Sequence, residues 1–203
     1  TWGTVNDFKH FLPRIFELMV FKDIYGGGTD SVFVISKLIE GKWRSWPKID
    51  QDAVMGFLFA WWRLALASHP YCDVPEPQEV LGALIRLQFG LSDWLTVWDQ
   101  AVGHSVHATL QLASFASSVW GCIGRNEPVS RDATPEQTHL LLEWLPQSAH
   151  RPAISHLRQQ PPTTPPSGVY DEATCLLLGD RAMSGLAAID RPESQAGNSG
   201  VTK

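Results

Sequence analysis

Gly103-His104-Ser105-Val106-His107 is the segment whose residue types and spacing come nearest to chemistry. Ser105 stands where the nucleophile stands in G-x-S-x-G, with His107 in place of the second glycine. That elbow presents its serine on a strained turn between a strand and a helix. The residues before it, Trp94 to Val102, have helical periodicity, so a simple helix break at Gly103 is the plainer reading. His104 and His107 are three apart, which on a helix places both imidazoles on one face. Two imidazoles can begin a zinc site, but a third and usually a fourth ligand must come from elsewhere. His10, His139, His150, His156 and Asp99 are the available donors, and no spacing ties them to the pair. A metal-dependent or serine hydrolase using His104/His107 or Ser105 is therefore the alternative reading, and the pattern leads us to expect neither a catalytic residue nor a cofactor.

Other polar groups have simpler explanations. Asp7, His10 and Glu17 could form an acid–base set, but a helix cap and solvated positions suffice. Asp50 and Asp52 fall near the start of a helix, where negative charge complements the dipole. Gly26-Gly27-Gly28 lacks the lysine and the preceding strand of a phosphate-binding loop, and reads as a connector.

The nine tryptophans carry the stronger signal. Trp61, Trp62, Trp94, Trp98, Trp120 and Trp144 lie in apolar segments with helical periodicity, where each can bury a large area. Trp43 and Trp46 differ, because they flank Arg44 and Ser45 in the short polar connection 41–47. Tryptophans in a loop either plug the core beneath them, the commoner fate, or face a partner. Trp43, Arg44 and Trp46 are thus the candidate partner-binding residues.

The elements that must position these side chains all read as helices. Asn6 or Asp7 caps a first helix that carries Phe8, Phe11 and Leu12, with a kink or restart at Pro13 and a continuing face of Ile15, Phe16, Leu18 and Met19. Thr29 or Asp30 caps a second, with Val32, Val34, Ile35, Leu38 and Ile39 inside and Gly41 past its end; its β-branched residues make a strand the rival reading, but Ser36, Lys37 and Glu40 fall on one side, which favours helix. A third runs from about Pro47 to Ser68 with the stripe Val54, Leu58, Trp61 and Ala65, widened by Phe57 and Leu64; it is the expected central helix. Pro75-Glu76-Pro77 starts a fourth helix, Ser92 opens a fifth, and a sixth carries Val106, Leu110, Ala113, Ala116 and Trp120. Thr134-Pro135-Glu136-Gln137 is the best helix start in the chain, a capping box with proline at the first position.

Composition bounds the function. At 203 residues, 44% hydrophobic and 18% charged, the chain suits a globular fold. The net charge of −5 and the lack of any basic run longer than two residues argue against nucleic acid. No apolar stretch is long enough to span a membrane. Three separated cysteines without a C-x-x-C motif fit a reducing, cytoplasmic setting. The opening Thr1-Trp2-Gly3 reads as a chain entered part-way.

The segments Trp2-Gly3, 7–18 (Asp-Phe-Lys-His-Phe-Leu-Pro-Arg-Ile-Phe-Glu-Leu) and 41–47 (Gly-Lys-Trp-Arg-Ser-Trp-Pro), with Trp61-Trp62, Leu95–Trp98 and Gln137–Leu145, carry a resemblance. Over about residues 1–155 the chain resembles an uncharacterised family of bacterial all-helical proteins. The resemblance implies bacterial origin, a helical fold and further residues upstream; it implies no activity.

The expected fold is all-α, an irregular multi-helix bundle or a short helical-repeat-like stack of antiparallel helices. Residues 1–158 form the helical core, 159–169 a Pro-rich linker, 170–190 a C-terminal helix and 191–203 a flexible tail. The expected function is non-catalytic protein–protein interaction, as a binding, adaptor or immunity-type protein with a protein partner.

Overall fold

The computed structural model describes residues 3–20, 30–68, 76–88, 90–125, 132–147, 150–159, 180 and 182–184. Among them lie α1 (Val5–Val20), α2 (Ser31–Glu40), a 3-10 turn (Trp43–Ser45), α3 (Lys48–Ala67), α4 (Pro77–Ile85), α5 (Leu91–Val102), α6 (Val106–Arg125), α7 (Pro135–Trp144) and α8 (His150–Gln159), with no strand. The fold is all-α. The triglycine, the expected linker and tail, and most of the expected C-terminal helix fall outside the described residues. Of that last element, 180 and 182–184 are helical and Ala182 is buried.

Local chemistry sets the helix ends. The α1 cap is Thr4 rather than Asn6 or Asp7. Asp7 occupies the third helical position, where its carboxylate accepts from the Thr4 amide at 2.7 Å and the Thr4 hydroxyl at 2.8 Å. The Thr4 backbone N–H and then its hydroxyl hold the Asp7 carboxyl below its ordinary range. Pro13 does not split the helix: α1 is continuous, with Phe8, Leu12, Ile15, Phe16 and Met19 on one buried face. Phe11 and Leu18 lie at the edge of that face and are exposed. Asp30 caps α2 by accepting from the Val32 amide. At its far end the left-handed residue is Lys42 (φ 49°), not Gly41. Gly41 instead permits close approach: a Cβ there would meet the Lys37 carbonyl at 3.1 Å and the Trp46 ring at 3.5 Å. The capping box at Thr134 and Gln137 forms as its sequence requires. Gln137 Nε2 also donates to the Ile85 carbonyl at 3.2 Å, and Arg86 pairs with Asp132, which ties the start of α7 to the end of α4.

α3 is the central helix, packed against α4, α5 and α6. Its stripe Val54, Leu58, Trp61 and Ala65 is buried, together with Trp62 and Leu66. Leu64, expected to widen the stripe, is 38% exposed. α5 and α6 are antiparallel neighbours, with Trp98 against Phe115 and Thr109 bonded to the Val102 carbonyl. α1 and α3 run in the same direction. Their contacts Phe8–Trp46, Lys9–Asp50 and Phe16–Phe57 advance together along both chains, which α2, lying between them in sequence, makes possible.

The core joins through its indoles. Trp62 packs edge-on to Trp98, with centroids 5.4 Å apart, and Trp98 contacts Phe115 and Trp144. Trp62 Nε1 donates to the Trp94 carbonyl at 2.8 Å, and Trp98 Nε1 to the Ala108 carbonyl at 3.1 Å. Trp61 Nε1, equally buried, has no acceptor among the described residues. The neighbours Trp61 and Trp62 thus give an internal comparison. Tryptophan to phenylalanine removes the same atoms at both, but only Trp62→Phe removes a hydrogen bond. Trp62→Phe is expected to cost about 1–2 kcal/mol more than Trp61→Phe in urea unfolding. Equal costs, or a larger cost at Trp61, would contradict this assignment.

Candidate functional site

The residues singled out for chemistry do not converge. Ser105 sits in the turn between two helices, α5 and α6, with no strand before it. Its hydroxyl accepts from the Ala108 amide at 3.3 Å, as a helix cap does. The strained strand-to-helix turn that exposes a nucleophile is not built here. His104 lies in the same turn and is exposed, whereas His107 is in the first turn of α6 and half-buried. The break at Gly103–Ser105 separates them, so helical spacing does not align the two rings. Among the described residues no group of three or more His, Cys, Asp or Glu side chains could hold a metal ion. Glu17 pairs with Arg14, and Asp52 with Lys48.

Asp99 finds a partner that sequence spacing did not indicate. His150, completely buried at the start of α8, places Nε2 2.7 Å from Asp99 Oδ1 and Nδ1 2.9 Å from the Leu145 carbonyl. Trp144 Nε1 donates to the same Asp99 oxygen at 2.8 Å, and its ring meets the imidazole edge-on at 4.6 Å. A carbonyl only accepts, so Nδ1 donates to Leu145, while Nε2 meets the Asp99 carboxyl oxygen that Trp144 also engages. The arrangement cross-links α5, α7 and α8. His150 is sealed from solvent, while the Asp99 side chain is 36% exposed, and the contacts among the three residues tie the helices together.

One open feature among the described residues is a groove between α1 and α3 of about 380 Å³; a wider, shallower cleft of about 580 Å³ lies between α1 and α2. Leu12, Pro13 and Phe16 form one wall, Ala53, Val54 and Phe57 the other, and Trp46 closes one end. Lys9 bridges the walls at that end: its ammonium pairs with Asp50 and lies 5.0 Å from the centre of the Trp46 ring. Two helical turns along, Phe16 and Phe57 stack face to face with centroids 3.8 Å apart. The two bridges are seven residues apart on each helix, so the groove runs about 10 Å between them. Glu17 and Asp50 are the two carboxylates on its lining and Lys9 the one cation. No serine, cysteine or histidine lines it among the described residues. Its chemistry is apolar burial with a polar rim, the composition of a recognition site.

Aromatic side chains hold this groove open. Among the described helices the α1 backbone stays farther from its neighbours than the core pairs do, and the gap is spanned by Phe8, Phe16 and Lys9. Trp46 reaches its place because its Nε1 donates to the Gly41 carbonyl at 2.9 Å while Gln51 bonds its carbonyl. Trp43 is 5% exposed and Trp46 8%, whereas Arg44 is exposed. Both indoles plug the connection, and of the three candidate partner-binding residues only Trp46 also lines the groove. The sequence carried a partial signal for this site. Leu12, Phe16, Val54 and Phe57 stand on recognised apolar faces, but nothing local indicates that α1 and α3 lie side by side.

No protein-family model, no curated protein and no solved structure matches the chain.

Removing the shared acceptor tests the Asp99 cross-link. Asp99→Ala leaves the Trp144 and His150 donors buried without it, and a loss of about 2–4 kcal/mol is expected in urea unfolding. A loss under about 0.5 kcal/mol, the size of an ordinary surface change, would show that the three groups do not act together.

Proposed function

We propose that this chain is a non-catalytic binding protein that receives an apolar helical segment of a partner protein in the α1/α3 groove. The observation that carries this reading is the groove itself. It has apolar walls, the Lys9–Asp50 pair beside Trp46 at one end, the Phe16–Phe57 stack at the other and a charged rim, and no serine, cysteine or histidine lines it among the described residues. Helix-in-groove recognition places side chains at i, i+3 or i+4, and i+7 into such a cleft. The two-turn distance between the bridges suits anchors of that spacing. The parallel, directly bridged pair of helices gives the partner a pre-formed surface, which lowers the ordering cost of association. The three cysteines, odd in number and well separated, support a reducing, cytoplasmic setting for this binding. Among the described residues no helix is long and apolar enough to cross a membrane.

Ala53 is the position at which to test it, because it lines the groove yet is exposed in the second turn of α3. Ala53→Arg fills the cleft without deleting a core side chain, and an exposed helical substitution of this kind costs under about 0.5 kcal/mol. Helical peptides selected from a displayed library on the wild-type protein should carry an apolar stripe and lose binding to Ala53→Arg, while the melting temperature of the variant stays near that of the parent. Selected peptides that bind Ala53→Arg as well as wild type would overturn the groove as the site.

A further inference from the structure

We infer that the buried contact between His150 and Asp99 is a proton-dependent fastening of α8, which holds at mildly acidic pH and loosens above neutrality. Its protons can be counted. Both ring nitrogens of His150 face acceptors: Nδ1 lies 2.9 Å from the Leu145 carbonyl and Nε2 2.7 Å from Asp99 Oδ1. A neutral imidazole carries one N–H, and the carbonyl takes it. The second contact is a hydrogen bond only when a further proton lies between Nε2 and Oδ1, on either atom. Without that proton a ring lone pair faces a carboxylate in a site sealed from water, where nothing screens the repulsion. Trp144 Nε1 reaches the same oxygen at 2.8 Å as a donor and supplies no proton to the ring. The Asp99 side chain is 36% exposed, which gives the proton a route to solvent.

Among the described residues the contacts of His150 and Asp99 are with each other, Leu145 and Trp144. On α7, His139 and Glu143 pair with each other at the surface, and Glu136 lies in the first turn, at the far end from Trp144. On α5 the other carboxylate, Asp93, is in the first turn and exposed. α6 brings His107 and Cys122, and α8 its own Arg151 and His156. None of these side chains is bonded to the ring or to Asp99 among the described contacts.

The direction follows from comparing docked and undocked groups. Apart from each other, an imidazole is neutral above about pH 6.5 and a carboxyl is ionised above about pH 4. Above neutrality the docked pair therefore holds one proton more than the undocked pair, and docking weakens as pH rises. Between about pH 4 and pH 6.5 the undocked imidazole carries that proton too, and the fastening is at full strength. Below about pH 4 the undocked pair holds one proton more, and docking weakens again. α8 supports more than itself: the Ser155 hydroxyl donates to the Met183 sulfur at 3.8 Å. Release of α8 thus removes the seat of Met183 as well.

Amide hydrogen exchange of the full chain, read by mass spectrometry on the peptide that covers α8, tests this. After correction for the intrinsic exchange rate, protection of α8 is expected to fall about tenfold for each pH unit above about pH 7, the signature of one proton. His150→Gln, which has no imidazole to titrate, is expected to lose this dependence. Asp99→Asn replaces the carboxyl with a carboxamide that does not titrate, and it reports the same loss where His150→Gln does not fold. Protection of α8 in the wild-type chain that stays level from about pH 6 to about pH 8 would overturn the inference. A fall that persists in either variant would assign the proton to another group and overturn it equally.

Discussion

An indole has one N–H, and burying it without an acceptor forfeits about 1–3 kcal/mol. Three buried indoles meet that constraint across elements, whereas the Nε1 groups of Trp61 and Trp94 have no acceptor among the described residues. Trp62 finds its acceptor on α5, Trp98 on α6 and Trp144 on Asp99. Each bond crosses from one element to another, so each fixes the rotation of a helix as well as its distance. The rings then fill the space between, with Trp98 in contact with Trp62, Phe115 and Trp144. Aromatic pairs of this kind add about 0.5–1.5 kcal/mol beyond their area. His150 extends the cluster, because its acceptor is the one Trp144 uses. α3 is held on this side by packing and directional bonds together, which leaves its opposite edge free to face α1.

The two sides of α3 are built differently. Toward α4, α5 and α6 the helices pack closely. Toward α1 the contact is made by long side chains, two of them aromatic and one a lysine lying over an indole. The Phe16–Phe57 stack and the Lys9–Asp50 pair span the two helices, and the space between these bridges is the groove. Phe16 and Trp46 are buried members of the core cluster and also line the cleft.

Much of this was legible from the residues alone, wherever the controlling interaction was local. The Thr134–Gln137 capping box, the cap at Asp30 and the buried stripe of α3 follow from spacing and chemistry within a few residues. The failures are also instructive. The cap of α1 shifted to Thr4 because Asp7 serves as the reciprocal partner, a role that an acidic residue at the third position fills well. Pro13 lies within an unbroken helix, where its neighbours' burial outweighs the lost backbone bond. Phe11 and Ile39 matched the helical period but fell at the edge of the buried face, a difference that periodicity does not resolve. α8 was not separated from the core segment because Pro152 and its polar neighbours hide its start. The Asp99–His150 contact spans 51 residues and has no local signature. The groove was invisible for the same reason, since it depends on two helices that meet only through tertiary packing.

Hydrogen exchange at the indole nitrogens, resolved by two-dimensional NMR of the nitrogen-15-labelled protein, tests the organising role of the tryptophans most directly. If Trp62, Trp98 and Trp144 are bonded across elements in one cooperative core, their Nε1 protons exchange only when the whole molecule opens, with a common free energy equal to that of global unfolding. Exchange of any of the three at a free energy well below the global value would contradict a single indole-bonded core.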